Sequence, residues 1–107
     1  MRVVSDQIGS PTSTLELAPA LWDVLLKGEP GIWHATCEGE GSWYDFACAT
    51  VELSGIEDRE VQPCPTEEFP RPAHRPPYSV LDCERVTALR GAPMAHWRDA
   101  LKTFLGT

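Results

Sequence analysis

Proline is concentrated in one stretch of this chain. Six of its ten prolines lie between residues 63 and 77, in the segment PCPTEEFPRPAHRPP. Because proline fixes φ and has no backbone N–H, it cannot continue a helix or an inner strand. The segment is therefore predicted to be an extended, polyproline-like loop with little conformational freedom to lose. Regular structure must lie on either side of this stiff loop.

The size and composition of the chain are those of one globular domain. It has 107 residues, of which 42% are hydrophobic and 23% charged. No apolar run approaches the ~20 residues of a membrane span, and MRVVSDQIGS has no apolar core of a signal peptide. We therefore expect a cytoplasmic protein without membrane contact. Its cysteines have no metal-binding spacing and are expected to be reduced thiols: Cys37, Cys48, Cys64 and Cys83.

Charge is unevenly distributed along the chain. The net charge of −7 argues against a general nucleic-acid binder. Residues 1–37 carry a net −2, residues 38–68 a net −8 and residues 69–107 a net +3. The basic excess thus begins in the proline-rich loop. It indicates either a chance cluster on a solvated surface or a local site for an anionic small molecule.

Hydrophobic periodicity and capping signals predict two helices in the first half of the chain. One covers about residues 14–27, ends at Gly28, and is expected to pack through residues at helical spacing: Leu17, Leu21, Val24 and Leu25. The other begins after Ser42, with Asp45 three residues later as in a capping box, and ends at Gly55.

The remaining predicted elements are short. Strands are expected at residues 2–5, 31–36 (a buried one) and 60–64, a short helix after Asp82 as its N-cap, and a final helix over about residues 94–105. This alternation predicts an α/β or α+β layer with short strands and three to four helices. All four tryptophans, including Trp43, are assigned to core faces, which argues against an aromatic surface for single-stranded nucleic acid.

Catalytic and metal-binding signatures are missing from the sequence. It contains no G-x-x-x-x-G-K-[ST] phosphate loop, no G-x-S-x-G elbow and no glycine-rich dinucleotide turn. Gly39 and Gly41 alternate with Glu38 and Glu40, whose charges would repel a pyrophosphate, so they are interpreted as turn glycines. The histidines share no ligand spacing. We therefore predict no catalytic residue and no metal site.

The order of several segments nevertheless carries a resemblance. DQIGSPT, GIWHAT, SWYDFA, TEEFPRPAHRPPYSVLD and MAHWRDALKTFL follow one another as in the C-terminal part of dTDP-4-dehydrorhamnose reductases, which belong to the extended short-chain dehydrogenase/reductases. The resemblance covers nearly all 107 residues. It implies a small lobe that closes over a dTDP-sugar nucleotide. In the full-length family it implies reduction of dTDP-4-keto-L-rhamnose to dTDP-L-rhamnose with NADPH or NADH.

The chain departs from the family pattern in its catalytic parts. The glycine-rich cofactor motif is absent, and the fourth residue after Tyr44 and Tyr78 is Cys48 and Asp82, where the family has Tyr-x-x-x-Lys. The resemblance therefore implies a single sugar-nucleotide-binding lobe over residues 1–107 without a complete Rossmann domain. This lobe is expected to bind no cofactor and to be inactive alone, with residues 1–12 facing the missing half.

Two other functions stay open at this point. A lobe that keeps the ligand rim could be a non-catalytic sugar-nucleotide-binding or protein-docking module. Its partner would then be a separate Rossmann half or a second copy of the chain.

The resemblance also implies a set of substrate-binding residues: Gln7, Gly9, Thr12, Arg71 and Arg75. The two arginines could offer forked donors to a diphosphate, or they could cap helix ends or pair with Glu67 and Glu68. Gln7 and Thr12 could contact the nucleotide, or they could simply belong to a tight turn between a strand and a helix.

Overall fold

The computed structural model of the protein describes residues 1–68 and 72–106. Arg71, one of the predicted site residues, lies outside them. The elements in chain order are β1 (Arg2–Val4), β2 (Ile8–Gly9), α1 (Thr14–Lys27), β3 (Gly41–Ser42), α2 (Trp43–Leu53), β4 (Gln62–Cys64), a 3-10 turn (Thr66–Glu68), α3 (Glu84–Arg90) and α4 (Trp97–Leu105). Within the described part of the chain, short strands and four helices confirm the predicted fold class.

The strands form two separate two-stranded sheets. β1 and β4 pair in parallel, with Val4 opposite Cys64, so the predicted strands at residues 2–5 and 60–64 exist and are partners. Pro63 is tolerated in β4 because a two-stranded sheet has only edge strands. β2 and β3 pair antiparallel, with Ile8 opposite Ser42. These two strands have two residues each, too few for an alternating pattern to reveal them.

The predicted buried strand at residues 31–36 is wrong. This segment has no regular secondary structure, and Ile32 is 81% exposed. The backbone N–H and C=O groups of a strand need hydrogen-bond partners on a neighbouring strand. Here the Arg85 side chain serves as such a partner for one carbonyl. Arg85 donates to the Ile32 carbonyl at 2.9 Å, and its guanidinium lies 3.8 Å from the centroid of the Trp33 ring.

Helix α1 has the predicted bounds but a different buried face. The Ser13 side chain caps its start by accepting from the Leu15 N–H, and the helix continues through Pro19. Its fully buried residue is Ala20, whereas Leu21 and Leu25 are 56% and 73% exposed. The assignment of those two leucines to the core is therefore wrong.

The capping box of α2 is confirmed. The Ser42 hydroxyl accepts from the Asp45 N–H at 3.0 Å, and the Asp45 carboxylate accepts from the Ser42 N–H at 2.9 Å. Two donors at the helix start are satisfied by this reciprocal pair.

The last two helices start later than predicted. The N-cap of α3 is Cys83, not Asp82, although the Asp82 carboxylate accepts from the Glu84 N–H at 2.9 Å. α4 begins at Trp97 rather than at residue 94, with His96 as its N-cap. The residues before α4 form an isolated β-bridge with Glu38. The Glu38 N–H donates to the Ala95 carbonyl, and the Glu38 carbonyl accepts from the Trp97 N–H.

Helices α2 and α4 enclose the core. The buried cluster between them contains Cys37, Ala49, Trp97, Ala100 and Leu101; Ala20, Cys64, Val86 and Met94 are buried outside this cluster. The Trp97 ring lies 6.1 Å from the Phe46 ring, and its indole N–H donates to the Glu40 carbonyl at 3.2 Å. Trp22 and Trp43, by contrast, are 60% and 58% exposed, so their assignment to core faces is wrong. None of the described helices is long and apolar enough to cross a membrane.

Candidate functional site

An open cleft of about 380 Å³ lies where distant parts of the chain meet. Its lining comes from residues 7–11, from residues 41–43, and from Arg75, Pro76 and Ser79. The first group belongs to the DQIGSPT segment and the last to TEEFPRPAHRPPYSVLD, from here on the proline-rich segment; the two are about 70 residues apart in sequence. The fold therefore joins the two motifs in one concave surface.

Strand β2 lies between the other two parts of the cleft. On one side it pairs with β3; on the other, the Ile8 N–H donates to the Pro77 carbonyl and the Ile8 carbonyl accepts from the Ser79 N–H, both at 2.8 Å. A Cβ atom on Gly9 would lie 3.1 Å from Oγ of Ser79. Glycine at this position therefore permits the close approach of the proline-rich segment to β2.

Tyr78 ties the same segment to the loop before β3. Its hydroxyl donates to the Glu40 carboxylate at 2.6 Å. This hydrogen bond raises the pKa of Tyr78, because only the neutral phenol can donate a hydrogen bond to the carboxylate and the bond therefore stabilises the neutral form. The proline-rich segment is thus held at Ile8 through the backbone and at Glu40 through a side chain.

Arg75 brings an uncompensated positive charge to the cleft. It is exposed, and among residues 1–68 and 72–106 it has no ion-pair partner. Glu68 is paired with Arg2 instead. The alternative in which Arg75 pairs with Glu67 or Glu68 is therefore not found. A guanidinium without a carboxylate partner keeps its forked N–H donors available to an anion.

Gln7 lines the cleft and belongs to a group of hydrogen bonds to Thr66 that the sequence analysis did not predict. Its amide N–H donates to the Thr66 hydroxyl at 3.1 Å. The neighbouring Asp6 carboxylate accepts from the Thr66 N–H at 3.0 Å and also from the Thr66 hydroxyl. Asp6 and Gln7 together therefore fasten the end of β1 to the end of β4. Asp6 lies inside the DQIGSPT segment, and that was the sequence signal that could have identified it.

Substitution of Asp6 by asparagine is expected to make the free energy of unfolding depend less on pH in the acidic range. The hydrogen bonds from the Thr66 hydroxyl and N–H lower the pKa of Asp6 below its ordinary value of 3.8. A carboxyl whose pKa is lowered by folding stabilises the protein above its unfolded pKa, and this contribution is lost as the pH falls through the folded value. The urea midpoints of wild type and D6N should differ most near neutral pH, start to approach each other as the pH falls towards 3.8, and meet only below the lowered pKa of the folded state.

The exposed Asp58 provides the control for this comparison. D58N should follow the wild-type profile between pH 3 and 7, since none of the hydrogen bonds found within the described residues involves its side chain. A difference between wild type and D6N that stays constant over that range would contradict the role assigned to the carboxylate.

Thr12 lies outside the lining of the cleft. Its hydroxyl donates to the Ser10 carbonyl at 2.9 Å and accepts from the Cys37 N–H at 3.2 Å. It borders a second, smaller depression of about 200 Å³ beside Phe46 and Trp97. These bonds hold the turn between β2 and α1, and a nucleotide contact by Thr12 stays a prediction.

Trp43 is a cleft residue that sequence reasoning assigned to the core instead. It follows the buried Ser42, yet its side chain stands 58% exposed in the cleft lining. The helical spacing of Trp43, Phe46 and Leu53 places all three on one stripe of α2, but only the latter two pack against the core. The local spacing does not distinguish the exposed Trp43 from the two residues that pack inward.

The chemistry offered by the cleft is that of binding. The lining supplies a guanidinium, an amide, hydroxyls and an indole. Within the described ranges, no group of three His, Cys, Asp or Glu side chains could hold a metal ion. A phosphate-bearing ligand with a ring would match the groups that are present.

Comparison with known proteins gives consistent matches. The family model of the RmlD substrate binding domain matches residues 1–107. The dTDP-4-dehydrorhamnose reductase of Mycolicibacterium smegmatis is 45% identical over 101 residues, which are 94% of this chain and 31% of that protein. The spore coat polysaccharide biosynthesis protein SpsK of Bacillus subtilis is 46% identical over 105 residues, 98% of this chain and 36% of that protein.

Solved structures agree with these matches. A dTDP-4-dehydrorhamnose reductase from Clostridium acetobutylicum superposes with a TM-score of 0.89 at 45% identity, over 99% of this chain and 38% of that one. The enzyme from Bacillus anthracis, in complex with NADP, superposes with a TM-score of 0.88 at 32% identity, over 100% of this chain and 38% of that one. The chain spans roughly a third of the length of the curated relatives it matches. By sequence and by fold over its whole length, it belongs to the RmlD substrate binding domain family.

Proposed function

We propose that this chain binds a dTDP-linked deoxysugar, as the substrate-binding portion of a dTDP-4-dehydrorhamnose reductase. The observation that carries the proposal is the guanidinium of Arg75, which has no ion-pair partner among the described residues and lines the cleft between the DQIGSPT and proline-rich segments. Relatives named as dTDP-4-dehydrorhamnose reductases support the choice of substrate class.

The charge and stiffness of the cleft suit a diphosphate. A planar guanidinium offers parallel N–H donors to two phosphate oxygens, an arrangement that a lysine cannot reproduce. Pro76 and Pro77 flank Arg75 on its C-terminal side and restrict the backbone there. Binding would then order little additional chain, so less of the interaction energy is lost to conformational entropy.

Reduction of the 4-keto group needs groups that these 107 residues do not supply. Hydride transfer requires a held nicotinamide and a proton donor, and this sequence has neither the glycine-rich motif nor Tyr-x-x-x-Lys. In the proposed enzyme NADPH is held by the rest of the protein, and the isolated chain binds no cofactor and is inactive. A cytoplasmic location stays a prediction.

Substitution of Arg75 by alanine should weaken dTDP-L-rhamnose binding by about tenfold or more, because a charge-assisted hydrogen bond to phosphate is lost. Arg75→Lys should retain part of the affinity, since the charge remains without the fork. Isothermal titration measures both. Arg59→Ala is the matched control: it removes the same charge from a residue outside the cleft lining and should change affinity less than about twofold.

Two outcomes would count against this proposal. Equal affinity of wild type and R75A would remove the role of the guanidinium. Turnover of dTDP-4-keto-L-rhamnose with NADPH by the isolated chain would contradict its assignment as a binding portion only.

One feature favours protein docking as a second function. Leu15, Trp22 and Leu26 recur on one side of α1 at spacings of seven and four residues, and they are 63%, 60% and 61% exposed. Exposed apolar side chains in a row are typical of surfaces that another protein covers. No response to dTDP-L-rhamnose at millimolar concentration would leave docking as the remaining function.

A further inference from the structure

The ring of Trp43 is the unpartnered aromatic surface of the cleft. Among the described residues its indole has no ring contact and no hydrogen bond. Trp33 and Trp97 differ, because Trp33 is covered by Arg85 and Trp97 is buried in the core. A large apolar ring that stays in water at the edge of a concave site is available to a ligand.

The backbone that carries Trp43 is held firmly. Ser42, the preceding residue, is 3% exposed, forms the capping box with Asp45 and pairs with Ile8 across the small sheet. Trp43 itself is the first residue of α2. Because this backbone is already ordered, a ligand that contacts the ring would have to order only the side chain.

We propose that Trp43 is the stacking surface for the nucleobase of the bound nucleotide. The inference rests on the proposed function and assigns the base end of the ligand, as Arg75 is assigned the phosphates. Both residues line the same cleft. A ligand with a flat aromatic base and a diphosphate can bind both side chains at once. The base presents a π face to the Trp43 indole, and the phosphates carry the negative charge that pairs with the Arg75 guanidinium.

Affinity for dTDP, a ligand with base and diphosphate but no deoxyhexose, tests the proposal. Loss of one base–aromatic stack corresponds to about 5- to 150-fold weaker binding. Trp43→Ala should show a loss in this range, and Trp43→Phe, which keeps a smaller ring, should lose about threefold or less. Trp22→Ala is the matched control, because Trp22 is equally exposed but belongs to α1 and not to the cleft lining. Thermal melting of each variant checks that it is folded.

Indole N–H resonances give a second readout that affinity alone does not provide. The chain has four tryptophans, so each indole peak can be assigned from the variant that lacks it. Addition of dTDP to wild type should shift the Trp43 peak through the ring current of the base and leave the Trp22 peak in place.

The failure of this inference is distinguishable from failure of the proposed function. If dTDP and dTDP-L-rhamnose bind wild type and W43A equally well, the stacking role is overturned and the proposed function stands. If rhamnose-1-phosphate shifts the Trp43 peak and dTDP does not, the ring faces the sugar, which also overturns the assignment. If wild type binds neither nucleotide, both proposals are wrong.

Discussion

Substitution of Trp97 by alanine is expected to lower the free energy of unfolding by about 3–5 kcal/mol. The indole is 6% exposed, packs against Phe46 and donates to the Glu40 carbonyl. Its removal leaves a cavity in the core and removes the hydrogen bond to the Glu40 carbonyl. Because a domain of this size has a total stability of about 5–15 kcal/mol, W97A should be largely unfolded well below the melting temperature of wild type.

Trp22→Ala is the matched control for this prediction. The same atoms are removed from a side chain that is 60% exposed, so the unfolding free energy should change by less than about 1 kcal/mol. Urea denaturation followed by far-ultraviolet circular dichroism measures both variants. Similar midpoints for W97A and W22A would mean that Trp97 does not centre the core.

Substitution of Gly39 by alanine is the second large expected effect, about 2–3 kcal/mol. Gly39 has φ of +83°, and a Cβ atom there would overlap Nε2 of His96. His96 cannot move without consequence, because its Nδ1 accepts from the Arg98 N–H at 3.1 Å and its ring stacks on Trp97. Strain at the backbone and loss of the α4 cap therefore add.

Gly55→Ala separates these two contributions. Gly55 has φ of +71°, but a Cβ atom on it would meet nothing within 4 Å. Only the backbone strain applies there, about 1 kcal/mol. Thermal or urea unfolding should therefore rank wild type, G55A and G39A in decreasing stability. Equal losses in the two variants would show that His96 gives way freely and that its cap on α4 contributes little.

Local signals were sufficient for part of the fold. The start of α2 was predictable because Ser42 and Asp45 satisfy each other within one turn, so no distant partner is needed. Helix α1 also ends before Gly28 as predicted, with the Gly28 N–H donating to the Val24 carbonyl. The motifs also predicted residues that meet in space, since Gln7, Gly9 and Arg75 all line the cleft.

Features that depend on distant partners were not predictable. The apolar segment at residues 31–36 satisfied a strand pattern, but within residues 1–68 and 72–106 no strand pairs with it. A pattern in one segment carries no information about its neighbour. Trp43 matched a helical core stripe for a similar reason. Whether its ring is buried depends on where the core ends along α2, and that is set by α4, about 50 residues later in the chain.

The apolar row on α1 allows the solubility of the chain to be changed without changing the stability of its fold. Ala20 faces inward, whereas Leu15, Trp22 and Leu26 remain in water on the opposite side of the helix. Lysine at the outward positions would reduce attraction between copies of the chain without removing packed atoms from the interior. Solubility and resistance to unfolding can therefore be adjusted independently in this protein, on opposite sides of one helix.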